Sequence, residues 1–109
     1  MPTLPKPLYH AQPSSSAAAL YTVPADTQTV IRHIRCVNPD TADHTLDLYH
    51  YASGGTANDA SRISETIDIP AGTTFEEDVY IPMNPTDVLA GKADANSAVT
   101  LFVGGAEVT

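Results

Sequence analysis

A chain of 109 residues supports one domain with one core and leaves no room for a separate catalytic domain. Hydrophobic residues make up 42%, which excludes global disorder; with no Trp and aromatics at 6%, the core must be mostly Val, Ile, Leu and Ala. The 13 acidic residues against 5 basic ones give a formal charge of −8, a field that repels phosphate backbones and anionic bilayers, so neither nucleic acid nor a membrane is an expected partner.

Residues 1–13 carry Pro2, Pro5, Pro7 and Pro13, which exclude a helix and predict an extended arm. Leu4, Leu8 and Tyr9 are then spaced apolar contacts for a neighbouring subunit, against the plainer reading of a frayed terminus. The start has no apolar run of the signal-peptide kind, and no stretch reaches membrane-spanning length. A product that stays in the cytoplasm where it is made, or leaves it as part of a larger particle, is the expectation.

The sandwich domain is expected over 14–109. Ala17 to Val23 reads as a first strand, Pro24-Ala25-Asp26-Thr27 as a turn, and the run to Asn38 as its hairpin partner. On that run Val30, Ile34 and Cys36 share one face, interrupted by Arg32, while Ile31, His33, Arg35 and Val37 take the other. Thr45 to Ala52 alternates, Leu46 and Leu48 against Asp47, Tyr49 and Tyr51. Ser53 to Ala60 is the longest loop and the expected exposed tip, with at most one helical turn in 56–61. Ile63, Ile67 and Ile69 share a face with Glu65 between them, and Phe75, Val79 and Ile81 do the same around Glu77. Val88 to Ala93 is a small-residue strand, Ala98 to Val103 points Val99, Leu101 and Val103 inward, and Gly104-Gly105 loosens the end. About seven to eight short strands at this spacing predict an all-β, antiparallel β-sandwich, jelly-roll or immunoglobulin-like, with an extended N-terminal arm.

Candidate chemistry is sparse. Asp40, Asp43, His44, Asp47 and His50 crowd one stretch, but neither a calcium loop nor a zinc spacing is present, so no metal is expected. Cys36 is alone, so no intrachain disulfide forms, and a buried, inert thiol is the reading. Glu76, Glu77 and Asp78 cannot flank one glycosidic bond, because strand neighbours point to opposite faces. Ser53-Gly54-Gly55-Thr56 lacks the Lys and the following helix of a phosphate loop. Tyr49 and Tyr51 beside Asp47, with Tyr80 near, offer rings and a carboxylate for a sugar, against the commoner use of strand tyrosines in protein contacts. No catalytic residue and no cofactor is expected.

Five segments carry a resemblance. They are Leu-Tyr-Thr-Val-Pro-Ala at 20–25 with Thr-Val-Ile at 29–31, Cys-Val-Asn at 36–38, Ser-Gly-Gly-Thr-Ala at 53–57, Ile-Pro-Ala-Gly-Thr-Thr at 69–74 and Val-Thr-Leu-Phe-Val-Gly-Gly at 99–105. Their order resembles that of small β-sandwich structural proteins of tailed bacteriophages, over about residues 17–105. The resemblance implies a non-enzymatic virion protein, assembled in a host cytoplasm, that decorates or cements the capsid or connector. The alternative it leaves open is a tail- or fibre-associated, or glycan-binding, module on the virion surface. Its partners are then capsid, connector or tail proteins and further copies of itself, a trimer first among the oligomers. His33 and Arg35 stand where small or apolar residues are usual, and Met83-Asn84-Pro85 where a glycine turn is common, which marks a specialised surface. The interface residues expected are therefore Leu4, Leu8, Tyr9, His33, Arg35, Tyr49 and Tyr51.

Overall fold

The computed structural model describes residues 3–64 and 66–109, so the expectation for Glu65 and that for Pro2 lie outside the described residues. The described residues form eight strands: β1 (Thr3–Ala11), β2 (Ala18–Thr22), β3 (Gln28–Val37), β4 (His44–Tyr51), β5 (Ile67–Ile69), β6 (Thr74–Met83), β7 (Val88–Ala93) and β8 (Thr100–Val108). A single 3₁₀ turn at Asp59–Ser61 lies between β4 and β5. Two four-stranded sheets, in the orders β1-β8-β3-β6 and β2-β7-β4-β5, pack face to face.

The pairing is nested. β1 pairs with β8, β2 with β7, β3 with β6 and β4 with β5, all antiparallel. The chain is thus one long ribbon, doubled back at the β4–β5 connection and then wrapped so that β3 also meets β8 and β4 also meets β7. That is the jelly roll, with every link except β4–β5 crossing between sheets. The turn at 24–27 is where the sequence puts it, with Asp26 at φ +60°, but β2 and β3 are in different sheets and form no hairpin.

The core lies between the sheets. Ile34, Leu46, Leu48, Leu101 and Val103 are buried as their alternation requires, with Ile31, Ile69, Leu89 and Val99 beside them; Ile67 and Val79 pack on this core half-buried. One detail of β3 departs from simple alternation. The register slips between Ile31 and His33, leaving Arg32 as the extra residue against β8. This bulge resets the parity, so Thr29 and Ile31 point inward before it and Ile34 and Cys36 after it, while Arg32 stays in water. Val30 accordingly turns outward and Ile31 inward, the reverse of the unbroken pattern.

Two further expectations are corrected. Residues Thr3–Ala11 are an edge strand of this chain's own sheet, paired with β8 from Thr3↔Val108 to Ala11↔Leu101, and Leu8 enters the core. Pro5 and Pro7 are two apart, so both missing N–H groups fall on one side of the strand, which an edge strand can turn to solvent. Order in this segment therefore needs no neighbour, and its removal would strip β8 of a partner. Gly104-Gly105 does not loosen the chain either, because β8 runs through both. A Cβ on Gly105 would overlap the Val30 carbonyl oxygen, so glycine is what lets β8 pass this close to β3.

The outer face of β4 is covered too. Asp47 and Tyr49 are buried because the chain after the 52–60 loop folds back across them. Ile63 N donates to the Leu48 carbonyl (3.1 Å), and Arg62 forms a bridge to Tyr49. The strand expected from Ile63 is thereby confined to Ile67–Ile69.

Candidate functional site on the outer face of the first sheet

Register places the outward side chains of the β1-β8-β3-β6 sheet in rows. One row runs His10, Phe102, Arg35, Glu76; the next runs Pro7, Gly104, His33, Asp78. Alternation makes these positions outward, since Leu101, Val103, Ile34 and Cys36 between them are buried. In the first row the Phe102 and His10 rings meet edge to face at 5.5 Å and 82°. In the second, Gly104 has no side chain, and the Phe102 ring leans over it: a Cβ there would lie 3.1 Å from Phe102 Cε2.

The space left is a groove of about 380 Å³ lined by His10, His33, Arg35 and Phe102. Its polar walls are pinned across the β3–β6 ladder. Arg35 Nε donates to Glu76 Oε2 (2.7 Å), and its Nη2 donates to the same oxygen. His33 Nδ1 donates to Asp78 Oδ1 (2.7 Å), with its Nε2 3.4 Å from Glu76. These are exposed pairs, worth roughly 0–1 kcal/mol each in stability. Their effect is to fix side-chain direction.

Of the residues singled out in the sequence, the structure brings His33 and Arg35 together here. His10 and Phe102 were missed; the alternation around Val103 and the adjacent Gly104 were the available signal. Leu4 is 60% exposed on β1. Leu8 is buried at the β1 bulge, and Tyr9 is half-buried against the core, where burial raises its phenol pKa. Tyr49 is buried under the Arg62 guanidinium, 5.3 Å from its ring centre, and Tyr51 is half-buried at the end of β4. Leu8 and Tyr49 are thus spent inside the chain. The sugar face imagined from Asp47, Tyr49, Tyr51 and Tyr80 does not exist, since Tyr80 stands on β6 in the opposite sheet.

Apart from Asp40 on His44, the acidic and imidazole groups of 40–50 take separate partners instead of converging on one site. Asp47 Oδ1 accepts from Arg62 and Thr66, both at 2.7 Å; burial works against this carboxylate, yet these bonds hold its pKa below the usual value. His50 Nε2 meets Asp87 at 2.9 Å, and Asp43 accepts from the Ala71 N–H. His44 sits between Asp40 and Asp94. Among the described residues no group of His, Cys, Asp and Glu is placed to hold a metal ion. Cys36 is fully buried, and burial pushes its thiol pKa up to about 12, which makes it inert. Glu77 shares the inward face with Ile34, away from Glu76 and Asp78.

No protein-family model matches this sequence, and no curated protein does. Solved structures do match in fold. A subunit of the disulfide-linked pili of Bacillus endospore appendages superposes with a TM-score of 0.54 at 15% identity, covering 98% of this chain and 88% of that one. A chain of infectious bursal disease virus, Gx strain, gives 0.53 at 13% identity, covering 97% of this chain and 32% of its own length. The coat protein of Tobacco streak virus, solved as a dimer, gives 0.53 at 9% identity, covering 100% and 90%. The chain is therefore an eight-stranded antiparallel sandwich similar in fold to viral and pilus proteins. At these identities the likeness is one of fold.

Proposed function

We propose that this protein is a non-enzymatic structural subunit of a virion, one that decorates or cements the capsid or connector of a tailed bacteriophage as a homo-oligomer. The observation that carries the reading is the nested eight-strand topology taking up nearly the whole described chain, together with end-to-end fold likeness to pilus and virus proteins. The five sequence segments that resemble phage sandwich proteins narrow it to that context. Assembly by disulfides, as in the pili, is not open to this chain, because its one cysteine is buried. Contacts between subunits are then made without disulfides, and among the described residues Leu4 and Tyr80 (60% and 69% exposed) are the exposed large apolar side chains that can make them, with Tyr51 half-buried at the end of β4. The acidic balance keeps free subunits soluble until they dock.

Imaging of particles assembled with and without the chain tests this. Loss of discrete, symmetry-related density from the capsid or connector is expected. Particles indistinguishable in the two preparations would refute it. Sedimentation of the free protein tests the oligomer separately, and a monomeric mass at assembly-like concentrations counts against a stable homo-oligomer.

A further inference from the structure

The groove on the outer face of the first sheet has features that a scaffolding role leaves unused. Its walls combine one aromatic ring, two imidazoles and a guanidinium, all within two adjacent rows. Behind Arg35 and His33, on β6, stand two carboxylates, Glu76 and Asp78, so the local charge is balanced or slightly negative and an anion gains nothing there. The ion pairs leave donors and acceptors over: among the described residues, Arg35 Nη1, the His10 ring nitrogens, and the second carboxylate oxygens of Glu76 and Asp78 have no hydrogen-bond partner. Cross-strand pairing holds these groups in place, and the Phe102 ring settles over Gly104, where a Cβ would come within 3.1 Å of its Cε2.

We propose that this groove binds one neutral sugar ring, a hexopyranose of a glycan. A pyranose has an apolar C–H face that packs on Phe102 and a rim of hydroxyls, each both donor and acceptor. That matches a lining of imidazoles and a guanidinium backed by two carboxylates, with no net positive field. The volume lies at the low end of the roughly 300–1,000 Å³ of small-molecule sites. The groove is shallow, so a single site binds on the order of 1 mM. Copies displayed together gain about 10²–10⁴ in avidity. Recognition itself needs nothing from the assembly, so it stands or falls apart from the virion reading.

The test is saturation-transfer NMR on the isolated protein with glucose, galactose, mannose and N-acetylglucosamine at millimolar concentration. Transfer to the ring protons of at least one sugar is expected. Phe102→Ala removes the apolar wall, and Gly104→Ala puts a methyl group against Phe102 Cε2 and so displaces the ring; each is expected to weaken binding about tenfold or more, while Tyr51→Ala on the other sheet leaves it unchanged. Circular dichroism establishes that each variant is folded, and Gly104→Ala decides alone if Phe102→Ala is not. Silence toward all four sugars overturns the proposal. So does binding that survives both groove variants, or acetate displacing the sugar.

Discussion

His44 has no neutral form that satisfies both ring nitrogens. Its Nδ1 lies 2.9 Å from Asp94 Oδ1 and its Nε2 3.0 Å from Asp40 Oδ2, and an ionised carboxylate only accepts. The imidazolium is the form that donates twice. The bond to Asp40 raises the His44 pKa, burial opposes it, and Asp94 adds to the rise; the same contact lowers Asp40. Asp43 and Asp68 line the adjoining groove and add negative charge on the same side. A raised histidine pKa stabilises the fold fully below its unfolded value near 6.5, and the contribution is lost as pH rises through the folded value. A lowered aspartate pKa stabilises above about 3.9 and is lost as pH falls through the folded value. The window in which both are present runs from about pH 4 to 6.5. Urea midpoints should therefore fall between pH 6 and pH 9 (roughly the span around a raised His pKa) in the wild type and fall less in His44→Asn. An equal fall in both would show that the Asp40–His44–Asp94 clasp does not set the slope.

At the scale of an element, β6 is, with β1, one of the two edges of its sheet, and edges of this kind invite another strand. Glu77 answers that hazard. It pairs with Ile34 on the core side yet remains exposed, an inward-pointing acid at the rim of the sandwich, and Pro82 removes one ladder donor further along. Glu77→Val should leave the monomer folded and drive edge-to-edge association, visible as larger species in size-exclusion chromatography as concentration rises. An unchanged elution profile would mean that the register slip in β6, where Val79 and Tyr80 stand against Arg32, guards the edge without help. The sequence showed Glu77 interrupting an apolar face but not why, because the reason is the strand's place at an edge. The same holds for β1. Its prolines spoke for extended backbone, and only its partner β8, distant in sequence, makes it a strand.

For the whole molecule, alternation alone located the core: Leu46 and Leu48 on β4 and Leu101 and Val103 on β8 are each at 1% exposure or less. Leu48→Ala should cost about 2–5 kcal/mol in chemical denaturation, and a loss below about half a kcal/mol would place Leu48 outside the core that these residues form. What alternation did not reveal was sheet membership. Every link but β4–β5 changes sheets, so neighbours in sequence are rarely neighbours in the ladder, and the turn at 24–27 looks the same whether it closes a hairpin or crosses the sandwich. The candidate groove was half legible for a related reason. His33 and Arg35 stood out as polar residues in a strand, but His10 and Phe102 join them only through the β1–β8–β3 register, and no local pattern encodes that.

The nested pairing also sets an order of events in time. The β4–β5 contact closes the shortest loop, and each outer pair must close a longer one, ending with β1 on β8, where Lys6 and Glu107 are 101 positions apart. Loop-closure entropy grows with that separation, so the ribbon should zip from its tip toward its ends. On a ribosome β1 waits longest of these eight strands, since its partner β8 is the last of them to emerge. Pulsed hydrogen exchange during refolding should find protection at Leu46 and Ile67 before it appears at Leu8, and the reverse sequence would mean the chain collapses around its termini. Until β8 emerges, the nascent chain carries Leu8 in water.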